Sequence, residues 1–174
     1  FFPRCGVPDA FASWQEYEDY VRFLYETGSV TEHTQLWWSV RPHLGFPTVE
    51  IRIADGQPDL ADAQSLAAFG ASLAARIARA HDEGEPLADL PHRLIEENMW
   101  RAIRYGLSGE LIDFERGDVL SARARLERLL EWVAPVADAM SPRFRFGPKA
   151  PCERSIWPTT ARTSAGSTGV ALRD

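Results

Sequence analysis

An α+β fold is predicted by three patterns. Apolar residues recur at helical spacing in four separate stretches, strict alternation runs through residues 48–53, and Pro or Gly punctuates the chain between them. With 174 residues there is enough chain for one folded unit with its own core, and too little for two comfortable ones. The expected organisation is a domain over residues 1–140 and a tail over 141–174.

The elements follow in order. Ser13 and Glu16 have the Ser-x-x-Glu spacing in which a hydroxyl and a carboxylate satisfy backbone donors of a helix's first turn. Trp14, Tyr17, Val21, Leu24 and Tyr25 continue at helical intervals until Gly28 stops the run. A short link through 31–34 leads into extended chain that Pro42, Gly45 and Pro47 divide into two pieces, 36–41 and 47–54, expected to be neighbouring strands. Asp59 is placed to cap a second helix running to about His81. Its Leu60, Ala63, Leu66, Ala67, Leu73, Ala74 and Ile77 form a narrow alanine-rich stripe suited to close packing on a sheet. The segment HDEGEPLADLP is a polar connection, and Pro91 sits where a first helical turn tolerates it, opening a third helix over 91–105. GLSGELIDFERGD holds two turn signals around a short apolar piece. Asp118 is then expected to cap a long helix through Val119, Ala122, Leu126, Leu129, Leu130 and Val133, which Pro135 should kink or end. From Ser141 onward Pro, Arg, Ser, Thr and Gly dominate and periodicity vanishes, so a mostly disordered tail is expected; a reading-frame shift or a truncated gene would leave the same trace.

Composition excludes some classes of partner. The formal net charge is −6, and no Lys/Arg stripe is concentrated on any expected helix, which argues against a nucleic-acid surface. Cys5 and Cys152 are far apart and in no metal-ligand spacing, pointing to a reducing compartment, the cytoplasm, without a disulfide framework. No apolar run approaches a membrane span, and the start lacks a basic region followed by an apolar core, so no membrane association is expected. The first residue is Phe1, so the chain is read as starting partway through a longer frame or after processing.

Two segments carry candidate chemistry. WWSVRPHLGFPTVEIRIAD, residues 37–55, sets charges into what otherwise reads as a buried strand. Glu50 and Arg52 lie two apart and share a face, opposite Val49, Ile51 and Ile53, so they could reach a common ligand or neutralise each other. The plainer alternative is a solvated strand face with a weak ion pair. Arg41, after a Trp-Trp pair and before Pro42, adds a second guanidinium on extended chain. In EENMWRAIRYGLSGELID, residues 96–113, Asn98, Arg101 and Tyr105 fall within a band of roughly 60° at about 100° per residue. They flank the apolar stripe of Leu94, Ile95, Met99 and Ala102, the position from which polar groups look into a cleft, unless Arg101 only snorkels to water. Arg104 lies farther round, toward solvent. No phosphate loop or dinucleotide fingerprint is present, and no serine sits in a nucleophile elbow. His33, His43, His81 and His92 have no metal spacing.

WWSVRP, PTVEIRIAD, and ENMWRAIRYGLSG with the following LID, preceded by FFPRCGVPDAFASWQEYEDYVRFLYETG, resemble in order the type 2 glutamate-cysteine ligases, also called carboxylate-amine ligases. The similarity spans residues 1–140. It implies that this stretch is the C-terminal half of a ligase catalytic domain whose fold is a curved antiparallel sheet flanked by helices, related to the glutamine synthetase catalytic fold and incomplete in this chain. It also implies an ATP-dependent carbon–nitrogen ligase. ATP would phosphorylate the glutamate side-chain carboxylate, and the cysteine amine would displace phosphate. ATP and Mg2+ are the implied cofactors, glutamate with cysteine or another amine the small-molecule partners, and a homo-oligomer is left open. On matching positions the resemblance makes Glu50 the metal ligand and Arg52 and Arg41 the catalytic cations. Asn98, Arg101 and Tyr105 become the substrate- or nucleotide-binding rim. Ser39 departs from the family pattern, which usually has Asp there: if that acid is a metal or amine contact, activity is in doubt, and if it only orients Arg41, serine can partly substitute. The same resemblance implies that the fragment alone is inactive. A ligase for another amine, or a non-catalytic interaction domain keeping the fold, are the alternatives.

Overall fold

The computed structural model describes residues 3–140; the tail over 141–174, with Cys152, lies outside the described residues. Helix α1, Trp14–Glu26, starts as its capping residues require. The Ser13 hydroxyl accepts from the Glu16 N–H at 3.1 Å. The Glu16 carboxylate turns back to the N–H of Ala12 at 2.6 Å, one residue earlier than in the usual reciprocal box. After the helix, Gly28 takes φ 66°, the left-handed turn that glycine accepts without strain. Tyr17, Val21 and Leu24 project from one side of α1 onto Val30, Leu36 and Trp38, with Phe11 against them. This cluster forms the core under α1, with Leu36 fully buried, while Ala80, Ala122, Val133 and Val136 are buried outside it.

The extended chain is shorter and more divided than expected. Strand β1, Cys5–Gly6, pairs in parallel with β2, Trp37–Trp38. Strand β3, Val40–Pro42, pairs antiparallel with β4, Val49–Ile51, setting Arg41 opposite Glu50. Ser39 joins the two pairs: its N–H donates to the Gly6 carbonyl at 2.6 Å, and its own carbonyl accepts from the Arg52 N–H at 2.7 Å. The expectation of neighbouring strands therefore holds for β3 and β4, whereas Trp37–Trp38 belongs to a different pair. Burial also departs from that of a buried strand, since the apolar side of β4 is open and only Arg41 on the charged side is buried. Ile51 and Ile53 are 44% and 61% exposed, while Arg41 on the charged side is only 5% exposed.

Helix α2, Leu60–Asp82, begins where Asp59 caps it, the side chain accepting from the Ala61 N–H at 2.7 Å. Its principal neighbour is a helix, α4, Ala122–Met140, rather than the expected sheet. A clasp closes the pair: Arg76 lies 4.3 Å above the Trp132 ring and donates to Glu85 at 2.6 Å. Helix α3, His92–Tyr105, matches its expected span and ends at Gly106, φ 57°. Beyond it, β5, Glu110–Asp113, forms an antiparallel hairpin with β6, Asp118–Ser121.

The hairpin corrects the expected fourth helix. Asp118 opens β6 instead of capping a helix, because Gly117 at φ 72° folds residues 118–121 back onto β5. Ser121 takes over the capping, its hydroxyl accepting from the Ala124 N–H at 3.1 Å. Pro135 does not end α4, which runs on to Met140. The described residues are thus α+β, with three separate two-stranded sheets among four α-helices. None of these helices is long and apolar enough to cross a membrane.

Candidate functional site

The β3–β4 pair and the link before it build a compact polar cluster. Arg41 projects from the face of β3 opposite Val40 and Pro42, toward the turn at 33–36 that ends on buried Leu36. Its Nη1 donates to the carbonyls of Thr34 at 3.0 Å and Leu36 at 2.8 Å. Its Nε and Nη2 both donate to Oε2 of Glu50, at 3.0 and 2.5 Å. Four hydrogen bonds thus occupy a guanidinium that has five N–H groups to give. Glu50 keeps its other oxygen, Oε1, outside these bonds, and its side chain is 37% exposed. Arg52, one step along the same face, is exposed and donates from Nη1 to the Leu36 carbonyl at 3.2 Å.

The two guanidiniums therefore converge on one backbone oxygen, and the Glu50 carboxylate is paired with the buried one. Of the two roles the strand pattern allowed, neutralisation falls to Arg41 across the hairpin and not to Arg52. Arg41's charge extends into the core beneath. Burial pushes the Tyr17 phenol above its ordinary range, and Arg41 partly offsets that rise. The Tyr17 hydroxyl is enclosed without a hydrogen-bond partner.

Helix α3 places its three candidates on a different neighbour. Asn98 gives its amide to the β5 backbone: Nδ2 donates to the Ile112 carbonyl at 2.9 Å, and Oδ1 accepts from the Ile112 N–H at 2.8 Å. Arg101 pairs with Glu97 one turn back, Nε to Oε1 2.9 Å. Tyr105 is half exposed, edge-on to Trp100, with Arg104 5.5 Å from its ring centroid. The structure brings Arg41, Glu50 and Arg52 together, and it routes the hydrogen bonds of Asn98 and Arg101 elsewhere. What joins α3 to the strands is its other side. The Ser39 hydroxyl meets the Met99 sulfur at 3.9 Å, and the His92 ring is 2.6 Å from the Val7 carbonyl.

The Thr34 and Leu36 carbonyls were not legible in the sequence, since every residue carries one and only the turn aims these two. Asp113, at the end of the LID motif, is likewise a buried anchor: it accepts from the N–H groups of Glu115 and Arg116 and from Arg128 at 3.1 Å. Among the described residues no group of three or more His, Cys, Asp or Glu could hold a metal by itself. Glu50 Oε1 is a single hard donor, which suits a small divalent cation that draws most of its remaining ligands from phosphates and water.

Comparison with known proteins places this geometry in context. Residues 2–142 match the model of glutamate-cysteine ligase family 2 (GCS2). The chain is 38% identical over 142 residues to "Putative glutamate--cysteine ligase 2" of Solibacter usitatus (strain Ellin6076), covering 82% of this chain and 37% of that protein. It is 42% identical over 135 residues to the protein of the same name from Rhodospirillum rubrum, covering 78% of this chain and 35% of the relative. A Rubrobacter xylanophilus relative, number 2-3 of that name, is 44% identical over 135 residues, with the same two coverages. The matched stretch is thus little more than a third of the length of these relatives.

Proposed function

This chain belongs to glutamate-cysteine ligase family 2, and on that premise we propose that it carries the anion-handling part of an ATP-dependent carboxylate–amine ligase. An oxygen of the glutamate side-chain carboxylate attacks the terminal phosphorus of ATP and the bond to ADP breaks. The cysteine amine then attacks the acyl phosphate carbon, phosphate leaves, and the nitrogen gives up a proton. The first step presses a carboxylate against a polyphosphate, so the site must offset negative charge with cations already in place.

The observation that carries the reading is the convergence of Arg41, Glu50 and Arg52 around the Leu36 carbonyl. Glu50, through its free oxygen, would hold Mg2+, which when bound would neutralise phosphate charge. Arg52 is exposed, with N–H groups to spare, and is the guanidinium that meets the transferred phosphate or the substrate carboxylate. Arg41 adds fixed positive charge from below. On α3, Arg101 and Tyr105 would border substrate or nucleotide, with Asn98 holding that helix against β5. The exposed side of β3–β4, with Val40, Val49, Ile51 and Ile53, is apolar surface that another layer of the longer protein would cover, while further strands of a curved, glutamine synthetase-like sheet would join at the edges of the pair. Such a face fits a chain that is inactive until completed; action on small molecules in the cytoplasm is part of the same proposal.

The test is ADP release by the longer protein, dependent on Mg2+, glutamate and cysteine. Glu50→Gln and Arg52→Ala should each abolish turnover while leaving the circular dichroism spectrum unchanged. A near-normal rate in either variant removes that residue from the site. Turnover with a different amine reassigns the acceptor. The exposed hairpin face also favours a second reading, a non-catalytic interaction domain, and absence of turnover with every amine would select it.

A further inference from the structure

We infer that Arg41 is a positioning residue, which serves the reaction by fixing the Glu50 carboxylate rather than by touching substrate; the inference rests on Glu50 being the metal-binding carboxylate proposed above. The two arginines of the cluster differ in what they have left to give. Arg41 is buried, and four hydrogen bonds already engage it. Arg52 is exposed and spends one. A substrate phosphate could be gripped by Arg41 only if protein bonds were broken in a buried place, where an unmet donor or acceptor is costly.

The guanidinium works as a strut. One end, Nη1, is held by the carbonyls of Thr34 and Leu36, in a turn that the buried Leu36 side chain anchors in the core. The other, Nε and Nη2, closes on a single oxygen of Glu50. With Oε2 occupied twice, the carboxylate cannot rotate freely, and Oε1 is left as the outward donor. Lysine could serve one end of this span but not both, because its donors radiate from a single nitrogen. The turn is braced in the same way, by the His33 ring against the Pro42 carbonyl at 2.8 Å.

Positioning and charge make opposite predictions, which allows a clean test. Arg41 sits beside the carboxylate and repels a cation bound there. If charge were its only influence, Arg41→Met would tighten metal binding and Arg41→Lys would leave it unchanged. If it holds the carboxylate, both substitutions weaken binding, by about 10-fold or more, as removal of partners behind metal ligands does. Because the protein's share of the ligands is one carboxylate, the probe is Mn2+ with a fixed excess of ATP, titrated into the longer protein and followed by electron paramagnetic resonance against Mn2+ and ATP in buffer, with thermal unfolding to verify the fold of each variant. Arg22→Met, on the exposed face of α1, serves as the control for loss of a distant charge. Should Arg41→Met fail to fold, Arg41→Lys carries the test, since it keeps the charge. Binding lost in Glu50→Gln but kept within about two-fold in Arg41→Lys overturns the positioning role and leaves Glu50 as ligand. Undiminished binding in Glu50→Gln, or none in the unsubstituted chain, overturns the metal assignment and this inference with it.

Discussion

Replacing Asn98 by Ala should destabilise the protein through β5. The amide makes two hydrogen bonds to one residue, donating to the Ile112 carbonyl at 2.9 Å and accepting from its N–H at 2.8 Å. Alanine leaves both backbone groups without partners in half-buried surroundings. A stranded buried group costs about 1–3 kcal/mol, and partial access of water puts each near the lower end, so the pair should cost about 2–3 kcal/mol. For a folded unit of this size, unfolding entropy of roughly 0.3 kcal/mol per degree converts this to a drop in melting temperature of about 7–10 °C. Asn98→Asp tests the direction of the bonds. It keeps the acceptor for the Ile112 N–H but turns an anionic oxygen toward the Ile112 carbonyl, so it should cost at least as much at neutral pH and recover in part as the carboxyl protonates. Thermal unfolding followed by circular dichroism measures both. A drop smaller than about 2 °C in Asn98→Ala would refute the latch, because that is less than a single lost hydrogen bond of this kind produces. It would also free the amide for the substrate contact that its place on α3 suggested.

Two other outcomes are expected. Asp113 is buried, which by itself would raise its carboxyl, but the N–H groups of Arg116 and Glu115 with the charges of Arg116 and Arg125 hold it below its ordinary range. A lowered folded value means stability present above the unfolded carboxylate value and lost as pH falls toward the folded one. Melting temperature should therefore decline on acidification below about pH 4, and less so in Asp113→Asn; parallel curves would clear this carboxylate. Gly109 has no room for a side chain, since a Cβ there would lie 2.6 Å from Cβ of Tyr105. Gly109→Ala should cost about 1–3 kcal/mol and move Tyr105, measured as lower stability and altered tyrosine environment in near-ultraviolet circular dichroism; an unchanged spectrum and melting point would contradict it.

Local chemistry accounts for what could be read in advance. Helices α1, α2 and α3 were legible because Ser13, Asp59 and the apolar spacing act within a turn or two of chain, and the structure keeps those boundaries closely. Asp118 misled because an aspartate before an apolar run suits a cap or a hairpin equally well, and the choice lay with β5, outside that local window. The burial of the hairpin was misjudged for a similar reason. Alternation shows that Val49, Ile51 and Ile53 share a side, but not whether anything packs against that side.

By itself, then, the sequence determined the family, the helices and the identity of the charged residues on the strand, because each is written in side-chain type and short-range spacing. Only the tertiary structure decided how Arg41, Glu50 and Arg52 divide their work. That division depends on backbone oxygens of the 33–36 turn and on cross-strand register, which belong to the folded chain and have no signature in residue identity.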